Sequence, residues 1–152
     1  MAATRAAGYL LDTNVISAAS PRQVPHHADL VAWLVANGDR LWLSSISVIE
    51  IVAGIAAAER KAATRQVPEL KVWLSAIEAY YADRILTIDP AAAHEVGRLL
   101  EHATATGHNG DFEDIAIAGI ARSRGLIVLT RNVRDFAPLG VDIHDPFAAL
   151  PD

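Results

Sequence analysis

Acidic side chains stand at the points where predicted strands end and predicted helices begin. Asp12 directly follows a short apolar run, and Asp135 comes about one turn beyond the end of another. Glu50 and Asp114 lie near the starts of two predicted helices. Ligands of parallel α/β sheets bind beyond the carboxyl ends of the strands, so we expect these side chains to reach one edge of the sheet. Clustered carboxylates need a counter-charge, and hard divalent cations prefer oxygen ligands, so the pattern predicts a Mg²⁺ or Mn²⁺ site suited to phosphodiester hydrolysis.

Each of these acids also has a simpler interpretation. Asp12 can cap the short helix that follows it, and Asp111 is expected to cap the helix that contains Asp114. Asp135 can cap a surface turn. Glu50 is the hardest to explain structurally, because buried glutamate is usually paired and the residue four positions later is Gly54, which offers no ion pair. A functional role is therefore favoured most strongly for Glu50.

Strand-like and helix-like segments alternate along the chain, which is typical of a parallel sheet covered by helices on both faces. Asp89 and Pro90 are typical of a helix start, whereas Gly125 is typical of a helix end. The sequence shows neither an internal repeat nor an interdomain linker, so we expect an α/β fold with a single domain over residues 1–152 and a flexible N-terminal arm at residues 1–7. The predicted strands are residues 9–11, 41–43, 84–88, 126–129 and 141–143.

The bulk composition narrows the range of functions. The chain has 152 residues, of which 52% are hydrophobic and 20% charged, as in a folded domain. It contains no cysteine, which excludes disulfides, thiolate zinc sites and a cysteine nucleophile. No apolar run approaches the roughly 20 residues that span a bilayer, and the N-terminus does not resemble a signal peptide, so we expect a cytoplasmic protein. The net charge of −5 argues against sequence-blind nucleic-acid binding but is compatible with acids gathered in a metal site.

Three stretches of the chain carry an ordered set of motifs. Residues 9–17 have the sequence YLLDTNVIS, residues 43–51 have LSSISVIEI, and residues 114–121 (DIAIAGIA) are followed by residues 125–136 (GLIVLTRNVRDF). In this order they resemble the motifs of the PIN-domain family, and within it the VapC and FitB toxins of bacterial toxin–antitoxin pairs. The resemblance implies a three-layer α/β/α sandwich with a mainly parallel sheet, and a Mg²⁺- or Mn²⁺-dependent endoribonuclease acting on RNA. It also implies a cognate antitoxin protein that binds operator DNA.

The same resemblance assigns roles to single residues. Carried over by position, it implies that three acids are catalytic metal ligands: Asp12, Glu50 and Asp114. The fourth acidic place of the family falls near Asn132 and Asp135, and some relatives have an aspartate where this chain has Asn132. Asn132, Asp135 or both can therefore fill the fourth position of the metal site. The resemblance further implies that Thr13 and Thr130 orient a ligand or a water molecule.

Basic side chains near the motifs are candidates for RNA contacts, because arginine pairs well with phosphate oxygens. Arg131 and Arg134 are the candidates, whereas Arg22 is favoured as an ordinary surface charge. His108, in the loop before Asp111, is expected to be solvated rather than part of the site.

Three other functions are disfavoured, because the sequence lacks the residues that they need. A phosphatase would need an aspartate in place of Asn14, a phospho-receiver a lysine after Lys71, and a dinucleotide-binding domain a glycine-rich turn after the first strand. The stronger alternative is a PIN fold that acts mainly by binding its partner protein, with little or no catalysis, which the neutral Asn132 leaves open. Family members commonly pair, and the apolar helices at residues 28–35 and 70–77 offer a face, so a homodimer is also predicted.

Overall fold

A parallel sheet of five short strands forms the centre of this computed structural model, which describes residues 8–62 and 65–152. The strands lie in the order β3-β2-β1-β4-β5, and every neighbouring pair is parallel. The N-terminal arm that the sequence predicts at residues 1–7 lies outside the described residues. The strands are β1 (Tyr9–Leu11), β2 (Leu41–Ser44), β3 (Ile85–Leu86), β4 (Ile127–Leu129) and β5 (Ile143–His144).

Helices connect the strands, and local side chains and glycines set their ends. Asp89 caps the helix that begins at Pro90, because its Oδ1 accepts a hydrogen bond from the Ala92 N–H (2.8 Å). Gly125 ends another helix in the left-handed conformation (φ +64°), which a residue with a side chain rarely adopts. The helices of the described residues are α1 (Thr13–Ser17), α2 (Ala28–Ala36), α3 (Ser45–Arg60), α4 (Val67–Tyr80), α5 (Pro90–Thr106), α6 (Phe112–Arg124) and α7 (Val133–Phe136).

The sheet separates two apolar cores, because successive side chains of a strand point to opposite faces. Leu10 of β1 belongs to the core that α5 and α6 complete, for example with Leu99 and Ile117. Leu11 belongs to the opposite core, with side chains of α1 to α4 such as Ile16 and Ile51. This arrangement confirms the predicted sandwich of helices, sheet and helices.

Helices α5 and α6 cross very closely at Gly119. A Cβ at this position would lie 2.9 Å from the backbone nitrogen of Val96, which is nearer than ordinary contacts allow. Because the apolar residues from Ile115 to Ala121 are all buried as well, α6 has little freedom to shift. The packing therefore fixes the first turn of α6, which carries Asp114.

Two predicted strands differ from the observed ones by two residues at one end, and two others differ by one residue. The strand predicted at residues 84–88 is limited to Ile85–Leu86. Arg84 ends a 3₁₀ turn, where its guanidinium donates to the carbonyl of Leu41 (2.9 Å), and the chain leaves the sheet after Leu86 to reach the helix cap at Asp89. The last strand is Ile143–His144 instead of residues 141–143.

Candidate active site

The candidate site lies where the strand order reverses, between β1 and β4. From β1 the chain builds β2 and β3 on one side, and it then crosses to form β4 and β5 on the other. Connections that leave in opposite directions open a crevice at the carboxyl ends of the two strands, which is where parallel sheets bind ligands. Asp12 follows β1 and Thr130 follows β4, so both lie at this crevice.

Asp12 is almost fully buried, with 4% of its surface exposed, and its carboxylate is held from two sides. Oδ1 accepts from the Thr13 N–H (2.8 Å), which confirms that Asp12 caps α1. Oδ2 accepts from the Thr130 hydroxyl (2.8 Å) and from the Asn14 amide (3.1 Å). Burial raises the pKa of Asp12, and these hydrogen bonds oppose the rise. Capping is therefore only one of its interactions.

Glu50 is connected to the residue after Asp12 through a hydroxyl group. The Thr13 hydroxyl lies 2.9 Å from Glu50 Oε1 and 3.0 Å from the Ser47 hydroxyl oxygen. A hydroxyl carries one hydrogen, so donation to the carboxylate leaves Thr13 to accept from Ser47. Burial raises the pKa of Glu50, the Thr13 hydrogen bond lowers it, and the negative charge of Asp12 raises it further. The charge of Asp12 therefore acts on the carboxylate of Glu50.

Asp114 carries the largest pKa shift among the acids of the cluster. Burial, followed by the charges of Asp12, Asp135 and Glu50, raises its pKa from 3.8 to about 7. The charges of the other three predicted acids thus act on Asp114, although the four residues come from separate segments of the chain. Asn132 is exposed, and its backbone N–H donates to the Thr130 hydroxyl oxygen (2.8 Å).

Three simpler interpretations from the sequence can be compared with the structure. The prediction that Asp111 caps α6 through its side chain is wrong, because Asp111 occupies the cap position without a side-chain hydrogen bond there. Its charge instead contributes to raising the pKa of Asp114. His108 is partly buried, and its Nε2 lies 3.2 Å from the carbonyl oxygen of Asp135, so it is not simply solvated. Arg22 lies 3.9 Å from Glu69, an exposed ion pair in keeping with a surface charge.

Two residues of the site were missed by the sequence reasoning. Asn14 donates to Asp12 and accepts from the backbone N–H of Arg131 (3.2 Å), so it connects the segments that follow β1 and β4. Ser47 is fully buried and contacts the Thr13 hydroxyl. Ser47 stands three positions before Glu50, on the same face of α3, and that helical spacing was the available signal.

The chemistry of the donors fits a hard divalent cation. The crevice contains carboxylate and hydroxyl oxygens, and burial together with neighbouring negative charges raises the pKa of Glu50 and of Asp114. Within residues 8–62 and 65–152, no three acidic or histidine side chains are grouped closely enough to bind one ion together. Mg²⁺ commonly binds through one or two carboxylates and keeps several waters, so the donor set suits such an ion without a complete cage.

Comparisons with known proteins agree with the fold. Residues 9–140 match the PIN domain family. The chain is 32% identical to the plasmid stability protein StbB of Pseudomonas syringae pv. tomato, over 92% of this chain and 99% of that protein. It is also 32% identical to the tRNA(fMet)-specific endonuclease VapC of Shigella flexneri, over 87% of this chain and 92% of that protein. A solved structure of DNA-bound VapBC from Salmonella typhimurium is similar, with a TM-score of 0.70, 29% identity and coverage of 91% of this chain and 97% of that one. In the described part of the chain, no helix is long and apolar enough to cross a membrane.

Proposed function

The chain belongs to the PIN domain family, and from that premise we propose that it is the endoribonuclease toxin of a toxin–antitoxin pair. The observation that carries the proposal is the group of buried and half-buried carboxylates at the β1–β4 crevice, where the charges of Asp12, Glu50 and Asp135 raise the pKa of Asp114. The similarity to the tRNA(fMet)-specific endonuclease VapC supports RNA hydrolysis as the reaction, and we propose the cytoplasm as its location.

In this proposal Asp12, Glu50, Asp114 and Asp135 hold Mg²⁺ or Mn²⁺, directly or through water, with Asn132 beside them. When bound, the cation would activate the attacking water and stabilise the charge that develops on the phosphate. In that hydrolysis a bond would form between the water oxygen and phosphorus, the bond from phosphorus to the sugar oxygen would break, and the sugar oxygen would leave with a proton supplied by the water. The protein's own part is to hold the carboxylates in place without the metal.

Hydroxyl and amide groups supply that positioning. Thr130 and Asn14 direct one oxygen of Asp12 into a fixed orientation, at 2.8 and 3.1 Å. Thr13 does the same for Glu50, at 2.9 Å. Partners that donate to a ligating carboxylate orient it and commonly affect metal affinity as strongly as 10–100-fold.

The proposal includes two protein partners. The first is an antitoxin that binds operator DNA, which the similarity to DNA-bound VapBC supports. The second is another copy of the chain, since side chains such as Val35 and Val72 leave 73% and 72% of their surface exposed on α2 and α4. Sedimentation at micromolar concentration tests the homodimer, and a purely monomeric protein would contradict it.

The decisive experiment is cleavage of total cellular RNA by the purified protein, freed of antitoxin, with Mg²⁺, with Mn²⁺ and with EDTA. Asp12→Asn and Glu50→Gln remove a charge at nearly constant shape, and Asp83→Asn is the matched control, because Asp83 is exposed and lies in the turn before β3. We expect metal-dependent fragments from the wild type and from Asp83→Asn, and none from the two site variants.

Two results would contradict the proposal. Equal cleavage in EDTA would exclude the metal, and equal cleavage by Asp12→Asn would exclude the crevice. Folded protein that binds antitoxin and cuts no RNA under any condition would favour the alternative of a binding partner with little or no catalysis.

A further inference from the structure

A cavity of about 460 Å³ is linked to the candidate active site by one of its lining residues, Phe147, whose ring contacts Arg131. Residues 25–30, at the start of α2, form one wall, and residues 146–150, near the C-terminus, form the other. Its volume lies in the range of roughly 300–1,000 Å³ that is typical of small-molecule sites. The carboxylates described above do not line it, so its role is not explained by the metal site.

The C-terminal wall of the cavity is fixed in place. The indole N–H of Trp33 donates to the carbonyl of Pro151 (3.1 Å), which ties this segment to α2. The Phe147 N–H donates to Asp145 Oδ1 (2.9 Å). The Phe147 ring meets the His27 ring edge to face, with centroids 5.3 Å apart and an interplanar angle of 82°. Two aromatic rings with a defined mutual orientation, Phe147 and His27, therefore line the cavity.

A short path of contacts connects this aromatic surface to the carboxylates. The guanidinium of Arg131 lies over the Phe147 ring, 3.7 Å from its centroid. The backbone N–H of the same arginine donates to Asn14, and the Asn14 amide donates to Asp12 (3.1 Å). The ring that lines the cavity is therefore connected to Asp12 through two intervening residues, Arg131 and Asn14.

We propose that this cavity is a nucleobase subsite, in which one unpaired base next to the cleaved phosphate stacks on Phe147. The inference rests on the proposed function, because it assumes that the ligand is single-stranded RNA. His26 and His27 would face the edge of the base, and Arg131 would contact the neighbouring phosphate. Aromatic side chains combined with arginine are the usual platform for unpaired bases.

The charge of the protein favours stacking over phosphate contacts as the source of affinity. The chain has a net charge of −5, and the crevice itself is acidic, so the RNA backbone gains little from general attraction. Base stacking does not depend on net charge, because every base has a π-face. A stacking site beside the carboxylates would hold the substrate where its phosphates alone would be repelled.

The test measures binding in EDTA, so that it does not depend on cleavage. Short single-stranded RNAs carry 2-aminopurine at successive positions, since the fluorescence of this base is quenched when it stacks on an aromatic ring. Phe147→Leu removes the ring and keeps an apolar side chain, whereas Phe147→Tyr restores the ring. Tyr80→Leu is the matched control, because Tyr80 is 54% exposed and lies on α4, against Gly38 beyond the far end of α2.

We expect quenching at one position of the RNA with the wild type, Phe147→Tyr and Tyr80→Leu. Phe147→Leu should lose the quenching and bind about 5- to 150-fold more weakly, the range that loss of base–aromatic stacking produces. Thermal melting of each variant confirms folding. If Phe147→Leu does not fold, the test uses Arg131→Gln and measures how RNA affinity depends on salt concentration. Loss of one phosphate contact should lower the slope of log affinity against log salt (the salt slope) by about 0.7.

Failure of this inference can be separated from failure of the proposed function. Unchanged quenching in folded Phe147→Leu, an unchanged salt slope in Arg131→Gln, or no quenching by the wild type would overturn the subsite, even if total RNA is cut. Quenching that requires Phe147, from a protein that cuts no RNA, would support the subsite and overturn the nuclease.

Discussion

Replacing Asp114 by asparagine is expected to stabilise the metal-free protein at neutral and alkaline pH, although it removes a residue of the candidate site. Asp114 is the acid whose pKa is raised furthest within the crevice, to about 7, by burial and by the charges of Asp12, Asp135 and Glu50. A raised carboxyl pKa means that the ionised form is less favourable in the folded protein than in the unfolded chain. Asparagine keeps the shape and removes the charge.

The direction of the pH dependence follows from proton binding. Between pH 4 and pH 7 the folded protein keeps a proton on Asp114 that the unfolded chain has already released, because the folded pKa is about 7 and the ordinary value is 3.8. Stability therefore falls as the pH rises through this range, and the loss is complete above pH 7. The advantage of Asp114→Asn should be absent near pH 4 and largest above pH 7.

The magnitude can be worked from the same shift. A rise from 3.8 to about 7 corresponds to roughly 4 kcal/mol at about 1.4 kcal/mol per pKa unit. Asp114 is only partly buried, and solvent screening weakens such interactions, so we expect a gain of about 1–2 kcal/mol. For a chain of this size, that gain corresponds to a rise in Tm of roughly 2–8 °C.

Urea unfolding in EDTA at pH 4.5, 6 and 8 measures the gain, with Asp83→Asn as the control because that aspartate is exposed and outside the crevice. Addition of Mn²⁺ should reduce or reverse the difference, since the wild type would then gain stability from binding. A gain that is equal at all three pH values, or no gain at pH 8, would refute the explanation by charge repulsion.

Two further changes test the positioning of the site and the packing behind it. Thr13→Val removes the hydroxyl that donates to Glu50 (2.9 Å) and should weaken Mn²⁺ affinity about 10–100-fold in a titration of activity, whereas Thr13→Ser should bind Mn²⁺ as the wild type does. Equal affinity in Thr13→Val would show that the hydroxyl does not position Glu50. Gly119→Ala places a methyl group 2.9 Å from the Val96 nitrogen. Urea unfolding should show a free energy of unfolding that is lower by about 1–3 kcal/mol. An unchanged urea midpoint would show that α5 and α6 can separate without cost.

The places of the candidate acids in the fold could be predicted from the sequence because each lies at a fixed offset from an element with a clear local signal. Asp12 follows an apolar strand and caps a helix, and Asp114 lies in the first turn of a helix that ends at Gly125. Offsets of this kind survive small errors in strand length, such as the shortening of the strand predicted at residues 84–88. The fold class was predictable for the same reason, since it depends on the alternation of elements and not on their exact bounds.

The hydrogen bonds that hold the acids could not be predicted, because they join segments that are distant in the sequence. Thr130 meets Asp12 only because β1 pairs with β4, and the amide of Asn14 accepts its contact from Arg131 for the same reason. The sequence offers Asp111 as a helix cap, yet in the folded chain its charge acts on Asp114. The local sequence shows which roles a residue can take, and the tertiary contacts determine which of these roles it has in the folded chain.

The packing of α6 explains why the repulsion between the acids persists in the folded protein. A carboxylate on a mobile helix would move away from Asp12 and Glu50 and regain water. Helix α6 has little freedom to do so, because Gly119 lies against the backbone of Val96 and the residues after Asp114 are buried from Ile115 to Ala121. The free energy of the apolar core therefore holds like charges together at the crevice. A cation that bound there would recover this energy as affinity, so lower stability of the metal-free protein would follow from carboxylates that are already in place.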